Sequence, residues 1–209
     1  MPHGSRIAEL LLSIEAVKLS VDPPFTWASG LKSPIYCDNR MLYSHPDARK
    51  FVVEAFIQRI SSLHVEPDVI AGTATGAIGW AAIVADRMGL PFVYVRSKAK
   101  EHGAKKRIEG DLQKGKDVVL LEDLFSTAGS AISSVEALRE EGEANISDVL
   151  AIFTYQFPES LEIADRTRVK LHSLSDLTTL LEVAAEQGRL SEEDIERAKT
   201  FAKDPKNWL

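Results

Sequence analysis

The spacing of apolar residues changes character near residue 68. Before it, Ile7, Leu10, Leu11, Ile14 and Val17 recur at helical intervals and predict a helix over 5–18. Residues 45–62 return to that spacing through Ala48, Phe51, Val52, Ala55, Phe56 and Ile60. The intervening VDPPFTWASGLKSPIYCDNR has three prolines and a glycine, so it reads as extended or looped. After Asp68 come short runs rich in β-branched residues: DVIAG, FVYVR, DVVLLED, DVLAIFTY and VKLHSL. The first four alternate with the helical stretches 77–88 and 131–141 and with the segment between 97 and 116. Unbroken apolar strands of this kind are buried on both faces, as in a parallel sheet covered by helices. The last 35 residues read as helical, with Ser175 and Ser191 as expected N-caps and Leu180, Leu181, Val183 and Ala184 on an apolar side.

The expected architecture is α/β: a central, mainly parallel sheet flanked by helices in one domain spanning 1–209. A hood occupies about 1–65, the core about 66–173 and a helical cover about 174–209. In such sheets ligands gather outside the carboxyl ends of the strands. Composition narrows the class. Twenty-five basic against 31 acidic residues, net charge -6, argue against general binding to nucleic acid or anionic membranes. Cys37 is the one cysteine, so no intrachain disulfide forms, which suits a reducing compartment. The opening MPHGSRIAELLLSIEA reads as an amphipathic helix rather than a secretion signal, and no apolar run approaches the roughly 18 residues of a spanning helix. A cytoplasmic location is expected.

Candidate chemistry concentrates in DVVLLEDLFSTAGSAISSVEAL. A buried strand over Val118–Leu121 leads into Glu122 and Asp123, then Leu124, Phe125 and the small polar stretch Ser126-Thr127-Ala128-Gly129-Ser130, then a helix. Small residues let backbone N–H groups turn inward on an anion, and the helix adds its positive end. The carboxylates can accept hydrogen bonds from sugar hydroxyls. A plain capped strand-to-helix turn is the bland alternative, and paired acids after an apolar strand count against it. Neither a G-K-[ST] phosphate loop nor a G-x-G-x-x-G fingerprint is present. Six cations lie between Arg96 and Arg107, with His102 and Gly103 among them. A charged run is usually a solvated face, but this one leaves a strand end and contains a flexible glycine. Gly72 to Ala77 forms a turn of small residues after the first core strand, suited to tight strand–helix packing.

These segments together resemble the type I phosphoribosyltransferases. FTWASGLKSPIYCDNR, GTATGAIGWAA and VRSKAKEHGAKKRIEG, in this order, resemble the orotate-specific branch, and the resemblance covers nearly the whole chain. It implies the type I fold and transfer of a phosphoribosyl group from phosphoribosyl pyrophosphate to orotate, with Mg²⁺ held mainly by substrate oxygens. Carried over by position, Arg96, Lys100 and His102 meet the diphosphate, and Thr75 and Gly76 hold it through the backbone. Glu122 and Asp123 take the ribose, and residues 126–130 take the 5-phosphate. Lys100, His102 and Asp123 are the expected catalytic groups, and Ser126 and Lys32 the expected orotate contacts. A homodimer is implied, with loop 96–107 completing the neighbouring subunit's site.

Four positions depart from the family pattern. Ser97 stands where a second loop lysine is frequent, with Lys98 one place later, and Gly76 where some relatives carry lysine. Phe153-Thr154-Tyr155-Gln156 lacks the arginine that another branch uses to hold the orotate carboxylate. Ala128 replaces a glycine and costs about 1 kcal/mol if that position needs positive φ. Two rivals remain: transfer to another base such as a purine, and a non-catalytic sensor of phosphoribosyl pyrophosphate. The hood motif opposes the first. The acidic charge and the loop's histidine and lysines oppose the second.

Overall fold

In the apolar runs, neighbouring residues must serve opposite sides of one sheet, because successive strand side chains point to opposite faces. The computed structural model, which describes residues 3–98 and 106–208, shows this division. Leu120, Val149 and Ala71 join one apolar cluster, while Leu121, Leu150 and Ile70 join the other.

In chain order the elements are α1 (Gly4–Ser13), β1 (Val17–Leu19), β2 (Phe25–Thr26), β3 (Lys32–Ser33), β4 (Ile35–Cys37) and a 3₁₀ helix (Asn39–Ser44). There follow α2 (Pro46–Ser61), β5 (Val69–Thr73), α3 (Ile78–Met88), β6 (Phe92–Val95), β7 (Ile108–Glu109), β8 (Asp117–Phe125) and α4 (Gly129–Glu140). The chain continues with β9 (Asn145–Thr154), α5 (Pro158–Thr167), β10 (Lys170–Asp176), α6 (Leu177–Glu186) and α7 (Glu192–Lys203). Among the described residues, six strands form the central sheet in the order β10-β9-β8-β5-β6-β7. All its pairings are parallel except β6 with the short edge strand β7. Helices α1, α2, α3, α6 and α7 supply the cluster on one face, and α4 supplies helical residues to the other.

The order has a consequence for function. From β5 the chain steps outward to β6 and then returns to place β8 on the other side of β5. Adjacent β5 and β8 therefore form the topological switch point, where the loops leaving their carboxyl ends part and open a crevice.

Local chemistry explains most element ends. Pro46 opens α2 with Asp47 in its first turn and Arg59 in its last, matching the helix dipole. Ser191 caps α7 as expected, its Oγ accepting from the Asp194 N–H at 3.1 Å. Three expectations need correction. Ser175 is not the cap of α6: it is buried in β10 and donates to the Gly4 carbonyl (2.9 Å), while Asp176 caps the helix by accepting from the Thr179 N–H (2.8 Å). The first helix stops at Ser13 instead of continuing to 18, because Val17 pairs with Cys37 in an antiparallel ladder and Glu15 turns through φ 57°. The strand carrying the acids does not stop at Leu121 but runs to Phe125, so both acids lie inside it. Helix α5 was not expected; Pro158 opens it, and only Ser160 and Ala164 of it are buried.

Candidate active site

Two backbone turns meet at the switch point. One is Ala74–Ala77 after β5, which contains a cis Ala74–Thr75 peptide. The other begins with Glu122 and Asp123 in β8 and runs through Ser126–Ser130 into α4. They touch: a Cβ built on Gly76 would lie 2.3 Å from Asp123 Oδ2 and 2.5 Å from its Cγ. Gly76 thus allows the carboxylate to press against the turn, and the lysine of some relatives has no room here with Asp123 in this rotamer.

The two acids differ. Glu122 is buried (3% exposed) and both its oxygens are engaged: Oε1 accepts from the Asp123 N–H (3.0 Å) and Oε2 from Ser130 Oγ (3.0 Å). Burial first, and then the charge of Asp123, push the Glu122 carboxyl up to about 8. Its bond to Ser130 ties the strand to the first turn of α4. The Asp123 carboxylate is half-buried, shares a hydrogen bond with the neighbouring Glu122 carboxyl, and meets no cation at ion-pair distance among the described residues. A carboxylate with lone pairs to spare and no cation beside it suits a sugar hydroxyl or a hard cation.

The turn before α4 has the form of a phosphate cradle. No acceptor for the N–H groups of residues 126–131 occurs among the described residues, and the helix dipole adds positive potential there. Ala128 occupies the N-cap in the left-handed region, φ 61° and ψ 11°. The positive φ foreseen as the cost of alanine is therefore present, about 1–2 kcal/mol relative to glycine. Its methyl group is buried (3% exposed) in the cluster beneath α4, which offsets part of this. Ser126 is partly exposed, and Thr127, Gly129 and Ser130 are exposed. Leu124 and Phe125 pack into the core, so they face the cradle through backbone alone.

The basic segment divides in two. Its base is an antiparallel pairing of Tyr94 with Glu109 and Val95 with Ile108, continued by the Arg96 N–H donating to the Arg107 carbonyl (2.9 Å). Arg107 is structural: its Nε donates to the Arg96 carbonyl (2.8 Å) and its Nη1 to the Ser133 carbonyl and Oγ (2.9 and 3.1 Å). Sequence reasoning counted it with the mobile cations. Arg96 lies 3.3 Å from Glu109, and Lys98 is exposed. Lys100 and His102 lie outside the described residues.

In the hood, Lys32 is exposed on the β2–β3 hairpin and donates to Thr26 Oγ1 (2.7 Å). Trp27 from the same hairpin packs on Tyr155 at 5.1 Å and edge-on to Phe201, joining hood, β9 end and α7. Gln156, at the end of the stretch that lacks the other branch's arginine, accepts through Oε1 from the Thr178 N–H and hydroxyl. Cys37 donates to Asn39 Oδ1 (3.3 Å); burial, then the charges of Asp123 and Asp38, push its thiol up, so it stays protonated and is no nucleophile. Sequence reasoning missed Asn39 and Tyr43, which contact the site through backbone carbonyls and carry no motif signal of their own. A cleft of about 580 Å³ between α2 and β10, lined by Arg59, His172 and Leu174, contains none of these groups.

The switch-point turns, the acids and the cradle, on this sheet order, define the class of type I phosphoribosyltransferases. The phosphoribosyl transferase domain family matches residues 38–155. An orotate phosphoribosyltransferase of Coxiella burnetii is 44% identical over 208 residues, covering all of this chain and 99% of its own. One from Listeria monocytogenes serotype 4b is 47% identical with the same coverage. The crystal structure of orotate phosphoribosyltransferase from Aeropyrum pernix superposes with a TM-score of 0.76 at 29% identity, over 88% of this chain and 99% of that one. The chain belongs to the orotate phosphoribosyltransferase family.

The Glu122 carboxyl makes stability depend on pH. An acid whose folded value lies above its unfolded one contributes stability below the unfolded value and loses it as pH rises through the folded one. Between pH 6 and 9 the protein is expected to lose on the order of 2–3 kcal/mol through Glu122. Denaturant unfolding of Glu122→Gln, which cannot ionise, checks this: its loss over the same range should be smaller by that amount. Parallel curves for the two proteins would show that Glu122 ionises normally.

Proposed function

We propose that the protein transfers the phosphoribosyl group from phosphoribosyl pyrophosphate to a ring nitrogen of orotate, giving orotidine 5′-phosphate and pyrophosphate in de novo pyrimidine (UMP) biosynthesis. One observation carries the reading: the unclaimed amides of 126–131 lie at the switch point together with the paired acids, and Asp123 meets no described cation there at ion-pair distance. That spacing suits a ligand with a phosphate at one end and hydroxyls beside it.

The reaction replaces one bond at the anomeric carbon by another through an oxocarbenium-like transition state, so positioning and electrostatics dominate catalysis. The 126–130 cradle holds the 5-phosphate. Asp123 accepts from the ribose hydroxyls and sets negative charge beside the carbon that becomes positive. Glu122 acts as the second ribose acid only by exchanging one of its present bonds; as it stands it braces Ser130 and the cradle. The N–H groups of Thr75 and Gly76, which have no acceptor among the described residues, face the diphosphate. Arg96, Lys100 and His102 neutralise or protonate the leaving oxygen, in a loop that closes over the neighbouring subunit's site in a homodimer. Ser126 and Lys32 contact orotate, and Lys32 is the cation available to its carboxylate, since Gln156 is committed to Thr178.

Mg²⁺ fits the donor set. The Asp123 carboxylate, with no described cation at ion-pair distance, is a hard oxygen ligand, and among the described residues no group of three or more His, Cys, Asp or Glu forms a metal cluster. Bound there with the substrate, the ion would supply charge neutralisation for the diphosphate, with Asp123 as the protein ligand at hand. A cytoplasmic location accords with a single cysteine and no possible intrachain disulfide. Among the described residues no helix is long and apolar enough to cross a membrane.

The test follows the loss of orotate absorbance on adding phosphoribosyl pyrophosphate and Mg²⁺, with adenine, hypoxanthine and uracil in parallel. Rapid, Mg²⁺-dependent turnover of orotate alone is expected. Turnover of a purine instead would overturn the base assignment. Tight binding of phosphoribosyl pyrophosphate without turnover of any base would favour a sensor.

A further inference from the structure

We propose that the 3₁₀ helix Asn39–Ser44 is a clamp that fixes the pyrophosphate turn relative to the ribose-binding strand, with Asn39 and Tyr43 as its positioning residues. The proposal deepens the reading of this site as one for phosphoribosyl pyrophosphate and rests on it.

The β5–β8 ladder ends at Gly72 paired with Leu121. Beyond that point β8 pairs only with β9, in a register that passes over Asp123 between Glu122 and Leu124. Asn39, 1% exposed, serves that residue: its Nδ2 donates to the Asp123 carbonyl at 2.6 Å. Its Oδ1 accepts from the Cys37 thiol at 3.3 Å, so the amide is oriented from both ends.

Tyr43 does the same for the other turn. Its hydroxyl donates to the Gly76 carbonyl at 2.6 Å and accepts from the Trp80 N–H at 3.1 Å. That N–H lies in the first turn of α3, whose N-cap Ala77 offers no side-chain acceptor, so the tyrosine hydroxyl replaces a local cap. The peptide between Gly76 and Ala77 is thereby held on both sides, since the Ala77 N–H donates to the Thr73 carbonyl at 3.1 Å. The ring stacks on Trp80 at 4.5 Å and 20°, and a Cβ on Gly79 would meet its Cε1 at 2.8 Å. Arg49 donates to the Tyr43 carbonyl at 2.6 Å and anchors the clamp to α2.

The two bonds end on carbonyls of the residues already in contact, Gly76 and Asp123. One short helix from the hood therefore sets how far the diphosphate amides stand from the ribose carboxylate. A ligand that spans both benefits from the preset distance.

Tyr43→Phe removes the hydroxyl and keeps the stacked ring; Asn39→Ser shortens the amide out of reach. Each is expected to raise KM for phosphoribosyl pyrophosphate, and Kd for pyrophosphate with Mg²⁺ by calorimetry, about five- to tenfold, the effect of one lost hydrogen bond. KM for orotate and kcat should move less than threefold. Val183→Ala, a buried truncation on α6 away from the site, controls for simple loss of stability and should leave all three constants unchanged. Unchanged affinity for phosphoribosyl pyrophosphate in both clamp variants, or an equal loss in Val183→Ala, overturns the clamp. A wild-type protein that binds neither pyrophosphate nor phosphoribosyl pyrophosphate overturns the site reading and the clamp with it.

Discussion

Asp123→Asn is expected to lower kcat/KM for phosphoribosyl pyrophosphate about 10²- to 10³-fold while moving the melting temperature by only a few degrees. The fold tolerates the change because the carboxylate makes no ion pair with a described residue, and its one side-chain link, to the Glu122 carboxyl, is a hydrogen bond an amide can also make. The amide is nearly isosteric and still fits against Gly76. The backbone carbonyl held by Asn39 is untouched. Function suffers because the amide presents one acceptor where the carboxylate presented two, and because the negative charge beside the anomeric carbon is gone. Removing one preorganised electrostatic partner of a transition state costs about 3–4 kcal/mol, which sets the range. Steady-state kinetics with a thermal melt decide the matter. Native kcat/KM would show that Asp123 does not reach the ribose. A large fall in melting temperature would assign it a structural role instead.

Lys100→Ala is expected to reduce kcat about 10²- to 10³-fold with a smaller change in KM, because its charge matters most as the bond to diphosphate breaks. The prediction also tests loop exchange between subunits. Mixing Lys100→Ala with Asp123→Ala should restore activity if the loop acts across a dimer, since a mixed dimer then has one site with both groups intact. With random exchange, half the dimers are mixed and each has one competent site of two, so about a quarter of native activity should return. No recovery on mixing, with exchange verified by differently tagged subunits, would place the loop in its own subunit's site. Undiminished kcat in Lys100→Ala would remove the lysine from the leaving-group assignment altogether.

Both expectations begin from the sequence, and the reasons for their different standing are physical. Alternating burial makes strands such as Val118–Leu121 and Val149–Ile152 readable one residue at a time, and helical spacing does the same for α2, α6 and α7. Each of these patterns reports a choice made within a few residues. The small-residue turn before α4 was readable for the same reason: free amides at a helix start follow from the helix itself. Element ends were less legible where partners far along the chain decide them. Val17 leaves its helical spacing to pair with Cys37, and Ser175 gives the cap to Asp176 because β10 extends to meet the carbonyl of Gly4.

The sequence by itself determined the class of fold, the small-residue turn before α4, and the family, since periodicity, capping and motif order are local properties. Tertiary structure alone decided what each of those groups can do. It buried Glu122 against Ser130 and left Asp123 half-exposed, two neighbours of like chemistry separated by the strand's alternation. It turned Ala128 through positive φ, took Arg107 out of the cation set, and pressed Gly76 against Asp123. It also brought Asn39 and Tyr43 to two backbone carbonyls far along the chain. Contacts of that kind involve atoms that every residue has, so no choice of side chain at Gly76 or Asp123 announces them, and they exist only once the sheet order brings the two turns together.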